Sequence, residues 1–366
     1  MQNRWAALDH VRALAAFMVF CWHFIHGAEG FPIPFTGAPV FPFAAMLDEG
    51  HVGVSLFMCL SGYLFARLLE GRTIHIGRFI AARIVRLGPL LIAVFGLNLL
   101  VVMLSDGDFS AFFYRLLSGF VLPVWPNGAW SIAVELHFYI LLPFILAARK
   151  KYSFALPLFI VCAILFRAAI FGVTGSVQDA AYWTIFGRID QFLFGILAFD
   201  LRGWLRANHA VAAVAAISLG LGYYAFDIAG GFYELPSSDA ALWIVLPTFE
   251  AIGCATLIGW YDNSFSPRGR VSDVLAAIGF YSYGIYLLHF FVVFRAAQYV
   301  HSHFGMSNFS TAVAFALPAF LLMVPIAWLA YRAIEKPLQR FKPDYIDRAR
   351  GGEQAGVGVI KSEQAP

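Results

Sequence analysis

The chain has 366 residues, of which 60% are hydrophobic and 13% charged, with a formal net charge of +3. A soluble domain carries about a quarter of its residues as charges, so a water-soluble globule is excluded. The lack of a basic stripe on a polar module argues against a nucleic-acid partner. Polar residues fall in short bursts between long apolar runs. A run of about 20 apolar residues crosses the hydrocarbon as a helix that satisfies its own backbone. The expected fold is therefore all-α, a polytopic transmembrane bundle of about ten helices.

The apolar segments fall at 8–27, 50–70, 85–104, 131–148, 152–172, 185–201, 209–228, 240–260, 274–297 and 310–334. Asp9 and Arg12 interrupt the first segment, so it is expected as a retained helix and not as a cleaved signal. The expected division is one membrane domain over 1–337 and a polar, partly disordered tail over 338–366. With the N-terminus inside, most of the 25 basic residues fall on the inner loops and the tail. Positive residues collect on the cytoplasmic side, so both termini are expected there. The loops at 28–49 and 105–130 are long, aromatic and Pro-rich, suited to line an entrance or to sit at the headgroup level. Cys21, Cys59, Cys162 and Cys254 sit inside apolar runs without metal or redox spacing. They read as small core residues, and no metal site is expected.

Ionisable groups inside spanning helices are costly and mark a cavity or a partner. The first helix carries Asp9, Arg12, His23 and His26. Arg12 and His23 are eleven residues apart, about three turns, so they share one face roughly 16 Å apart along the axis. An Arg12–Asp9 pair and a hydrogen-bonded His23 would give the same stripe a structural role. The second helix carries Ser55, Ser61, Gly62 and Tyr63, where small residues serve either close helix packing or a ligand. Arg83 and Arg86 share a helix face, as phosphate ligands or as positive-inside anchors. The fourth helix opens with Trp130 and Ser131, and Glu135 follows one turn on. That carboxylate either orients a histidine, acts as an acid or base, or ties helices together. Arg188 and Asp190 are expected to pair locally. His289 lies well inside the ninth segment.

In this order the motifs resemble the integral-membrane acyltransferase family 3, from Leu8 to Pro337. They are Leu-Asp-x-x-Arg-Ala-Leu-Ala-Ala with the Arg12–His23 spacing, Gly-Val-Ser-Leu-Phe with Leu-Ser-Gly-Tyr-Leu, and Arg83-x-x-Arg86. Trp130-Ser131-x-x-x-Glu135, Tyr-Gly-Ile-Tyr-Leu-Leu-His289 and Glu-Lys-Pro complete the set. The chain departs from the family pattern at Leu136 and His137, where an acid and a glutamine are common, and at Ser55, where an acid is common. The resemblance implies O-acyl transfer, usually of acetyl from acetyl-CoA, to a hydroxyl of a carbohydrate or glycolipid acceptor. It implies a multi-pass protein of the bacterial inner membrane, in contact with membrane lipid. Many relatives carry a fused extracytoplasmic esterase-like domain, whereas this sequence stops after the membrane part. It is therefore expected to transfer the acyl group itself or to pass it to a separate protein.

The expected roles follow. His23 and Glu135 are catalytic, with His23 as general base or as acyl carrier. Arg12, Arg83 and Arg86 bind the acyl-CoA cosubstrate, and no cofactor is tightly held. Asp9, Ser55, Ser61, Tyr63, Trp130, Ser131 and His289 line the site. The rival reading is a transporter or export channel for a glycan or lipid, which also uses intramembrane Arg, His and Glu. No internal repeat of the transporter kind is visible.

Overall fold

The computed structural model describes residues 5–35, 37, 39, 41–236, 240–306 and 308–346. The rest of the tail expected to be disordered, 347–366, lies outside the described residues. The helices are α1 (Ala6–Ile25), α2 (Ala45–Asp48), α3 (Val52–Leu68), α4 (Ile76–Leu104), α5 (Phe109–Ser118) and α6 (Trp130–Lys151). They continue as α7 (Ala155–Thr174), α8 (Gln178–Trp183), α9 (Ile185–Asp200), α10 (Arg202–Leu205), α11 (His209–Ile228) and α12 (Gly231–Glu234). The chain ends in α13 (Leu242–Ser264), α14 (Arg270–Phe280), α15 (Ser282–Leu288), α16 (Val293–Phe304), α17 (Phe309–Ala330) and α18 (Lys336–Gln339).

Several helices start on a polar cap. Asp108, Thr184, Asn208 and Asn308 accept hydrogen bonds from the amides of Ala111, Gly187, Val211 and Thr311. Each cap satisfies one of the orphan donors of a first turn. Between α17 and α18 the residues Tyr331–Glu335 widen into a π-turn.

Among the described residues, seven helices are long and apolar enough to cross a membrane. The count is nine if each of two bent pairs makes one crossing. The ninth apolar segment is one such pair, since α14 and α15 are bent by 50°. The other is the α2 region with α3, bent by 86°. The difference from the expected ten is α9. It has 16 residues, about 24 Å of rise, against a hydrocarbon core of about 30 Å. It also carries Arg188, Asp190 and Gln191, all fully buried.

α9 packs at the centre of the bundle because glycine lets it touch α3 backbone to backbone. A Cβ at Gly62 would fall 2.0 Å from Phe192 O, and one at Gly195 would fall 2.0 Å from Cys59 O. Gly62 therefore serves helix contact, not space for a ligand. Gly279 does the same between α14 and α1, where a Cβ would lie 1.8 Å from Asp9 O.

Beyond α18 the chain turns back onto α4. Tyr345 O accepts from the His75 amide at 3.0 Å, and Ile346 pairs with Ile74 in an isolated antiparallel bridge. The Tyr345 ring packs edge-on against Phe79. This described part of the tail covers the N-terminal half of α4.

Candidate active site

Two adjoining cavities are built by α1, α3, α4, α6 and α15. They share Val54 and Tyr286 as lining residues. One holds Arg12, Arg83 and Arg86 with Ser61, Ser131, Glu135 and Tyr139, in about 140 Å³. The other holds His23 and His51 among aromatic rings, in about 510 Å³. They are called the arginine chamber and the histidine chamber below. Tyr286 is fixed between them by its hydroxyl, which accepts from Ser131 Oγ at 2.7 Å and donates to Gly128 O at 3.0 Å.

In the arginine chamber, Arg12 is paired with Asp9 at 2.5 Å, the local pair expected from their spacing. Arg83 is 3% exposed, and its guanidinium lies among the rings of Phe65, Phe79 and Tyr345. Its Nη2 donates to Tyr345 Oη at 3.3 Å, while its Nε has no partner among the described residues. Glu335 from the π-turn lies within electrostatic range of Arg86. Lys342 faces the same cluster from the tail. Burial, then Arg83 and Arg86, press its ammonium down to about 8. Three arginines and a lysine at one mouth can hold a polyanion such as a set of phosphates.

In the histidine chamber, His23 Nδ1 lies 2.8 Å from Val19 O and 3.3 Å from His289 Nε2. His289 Nδ1 lies 2.5 Å from Tyr286 O. A carbonyl only accepts, so both Nδ1 atoms carry hydrogen. His289 Nε2 is then a lone pair that accepts from His23 Nδ1–H. His23 Nε2 is left with a lone pair on a ring held by two hydrogen-bond acceptors. A neutral imidazole so fixed can take a proton or attack a carbonyl carbon.

Glu135 is placed elsewhere than beside a histidine. It accepts from Ser61 Oγ of α3 at 3.0 Å and from the hydroxyl of Tyr139, one turn on along α6. The two expected catalytic groups thus stand in different chambers, with Tyr286 and Val54 between them. Ser61, Ser131 and Trp130 line the chambers as expected. Ser55, Tyr63, Asp9 and His289 line neither, because each is spent on a partner. Ser55 donates to Glu250 and accepts from Arg188 and Gln191. Tyr63 donates to Asp262 at 2.7 Å. Ser55 stands where the resemblance leads one to expect an acid, and α13 supplies that acid as Glu250.

The local Arg188–Asp190 pair is overturned. Arg188 turns to Ser55, Gln191 and the Tyr182 carbonyl, and Asp190 accepts from Arg167 at 2.9 Å. Successive positions on a helix point to different faces, so residues two apart meet different neighbours. Sequence reasoning passed over Arg167, Glu250, Tyr286, Glu49 and the position of His51. Only Tyr286, inside a quoted motif, and His51, two residues before another, carried a signal.

A family described as an acyltransferase domain matches residues 5–332. O-acetyltransferase OatA of Staphylococcus aureus (strain NCTC 8325 / PS 47) is 26% identical over 334 residues, which cover 81% of this chain and 54% of that protein. The OatA of strain COL gives the same figures. The chain spans about half the length of the curated relatives it matches. No solved structure gives a significant match. The family match runs over nearly the whole chain, alongside helices long and apolar enough to cross a membrane, and the chain belongs to this acyltransferase family.

Proposed function

We propose that the protein moves an acyl group, acetyl in the first instance, from acyl-CoA to a hydroxyl of a carbohydrate or glycosylated acceptor such as a surface polysaccharide. The observation that carries this reading is the adjacency of a cationic chamber and an imidazole chamber, with Tyr286 between them. Family membership favours it over transport.

In this reading the donor's phosphates dock on Arg12, Arg83, Arg86 and Lys342. The thin pantetheine arm follows the polar groups of the narrow chamber, Ser61, Glu135 and Ser131. The thioester carbonyl passes Tyr286 and comes to rest beside His23. His23 Nε2 takes the proton of the acceptor hydroxyl, whose oxygen attacks the thioester carbon. The carbon–sulfur bond breaks, the acyl group stays on the acceptor oxygen, and the CoA thiolate recovers a proton. His289 holds the His23 ring, and Glu135 supports the arm and not the base. We read α9 as a short tenth crossing, so that the basic loops and both termini face the cytoplasm and the donor arrives from that side of a bacterial inner membrane.

The test is direct. Purified protein in lipid nanodiscs is given acetyl-CoA and a panel of oligosaccharides, and release of CoA and acetylated product is measured. Transfer by the wild type and its loss in His23→Ala are expected. Equal transfer by the variant would remove His23 from the chemistry.

A further inference from the structure

Several polar atoms around the histidine chamber have no aligned partner among the described residues. They are both ring nitrogens of His51, the indole Nε1 of Trp22 and Oε2 of Glu49. His51 is fully buried and Trp22 is 5% exposed, and both line the chamber. Burying such groups costs free energy unless something takes their hydrogen bonds. The geometry around them is built. Glu49 Oε1 accepts from the Phe232 amide at 3.1 Å, which fixes the carboxylate. Its Oε2 then sits 3.1 Å from His51 Nε2, off the line of a hydrogen bond. Gly231 gives it room, since a Cβ there would fall 1.7 Å from Glu49 Oε1.

A carboxylate beside Nε2 favours hydrogen on that atom and leaves His51 Nδ1 as an acceptor. Trp22 offers a donor. The rings of His23 and His51 both pack edge-on against Trp22, at 4.7 and 5.6 Å between centroids. The acceptor of His51 and the free lone pair of His23 thus belong to rings that border one indole, which itself supplies the donor. Much of the remaining wall is aromatic, with Trp130, Trp183, Tyr182, Tyr233 and Phe232, and it also takes in Arg115 and three prolines. A sugar hydroxyl both donates and accepts, and the C–H faces of a pyranose stack on aromatic rings. A chamber of about 510 Å³ is within the size of small-ligand sites, which combine apolar walls with a few placed polar groups.

We propose that the histidine chamber is the acceptor site. His51, backed by Glu49, and Trp22 hold the hydroxyls of one pyranose ring stacked on its aromatic walls. The proposal rests on the acyl-transfer reading above for what happens to that hydroxyl. His51 and Trp22 are binding groups for the acceptor, distinct from the base.

The experiment uses the full chain in nanodiscs and the methyl pyranosides of glucose, galactose, mannose and N-acetylglucosamine. Saturation-transfer NMR reads glycoside binding without catalysis, and acceptor KM and kcat are measured alongside with acetyl-CoA. Saturation transfer to at least one glycoside is expected in the wild type. In His51→Phe and Trp22→Phe it should weaken about tenfold or more, with acceptor KM raised more than kcat is lowered. If His51→Phe lowers the melting temperature, Glu49→Gln, which keeps the volume, and Trp22→Phe, which keeps an aromatic ring but drops the donor, decide. No glycoside binding by the wild type would overturn the proposal, as would equal binding in the variants that keep their melting temperature. Glycoside binding that depends on Trp22 without any acetylation would uphold the site and overturn the acyl-transfer reading instead.

Discussion

Two buried polar regions of this bundle look alike in the sequence and differ in the fold. One joins α3, α7, α9 and α13. Arg167 donates to Asp190, Thr248, Gly187 O and Ile244 O, and Glu250 accepts from Ser55, Gln191 and Tyr223. In that network only Arg188 Nη2 and Asp190 Oδ1 lack a partner among the described residues, and none of its charged groups lines a chamber. The other region surrounds the histidine chamber, where His51 and Trp22 in the wall, and Glu49 behind His51, keep buried hydrogen-bonding groups without a partner among the described residues. Intramembrane charge is thus a poor marker of function when taken alone. A charge that has spent its bonds on neighbouring helices fixes the architecture. A polar group left unspent at a cavity wall marks a place for a ligand.

Substitutions tell the two regions apart. The largest expected effect is at His23, where general-base loss lowers transfer by about 10²- to 10⁴-fold. His23→Ala should do so with an unchanged melting temperature, and His289→Phe should lose less, since it only orients the ring. A larger loss at position 289 than at 23 would reverse the two roles.

Arg167→Met comes next and should act on stability. It leaves Asp190 buried without its cation, a change that costs about 3–5 kcal/mol. Thermal unfolding in detergent reads it, and Arg167→Met with Asp190→Leu should recover much of the loss. An unchanged melting temperature in the single variant would return that network to the functional side.

Arg83→Ala should weaken acyl-CoA binding about ten- to a hundredfold, the worth of one or two charge-assisted bonds. Calorimetry with a non-hydrolysable acyl-CoA measures it, and an unaltered affinity would make Arg83 a topology anchor.

The smallest effect is in pH. The Lys342 ammonium is pressed down to about 8 by burial and by the neighbouring arginines. Its charged form is the one that attracts phosphate. Its contribution is full below pH 8 and fades as the pH rises through about 8, and a bound phosphate delays the loss to higher pH. Lys342→Met should flatten the fall in acyl-CoA affinity between pH 7 and pH 9, and a fall that persists unchanged would assign it to another group.

Hydropathy is a local property, so the apolar runs were readable. The run over 209–228 coincides with α11, and the starts of α6 and α13 lie within two residues of expectation. The Arg12–His23 stripe and the Arg83–Arg86 face were readable for the same reason, as helical spacing fixes them within one element. The run over 185–201 coincides with α9 as well, but its burial was not readable, because a central helix held by glycine contacts needs neither the length nor the apolarity of a lipid-facing one.

The sequence by itself determined that this chain is a helical membrane protein, and which helix carries each ionisable group. Only the tertiary structure decided which of those groups meet. His23 finds His289, 266 residues away, Glu135 finds Ser61 and not a histidine, and Arg188 and Asp190 part company to reach different helices. The physical reason is that periodicity fixes a face but not its partner. Partners are set by which backbones approach closely, and here glycine contacts between α3 and α9 and between α1 and α14 set them.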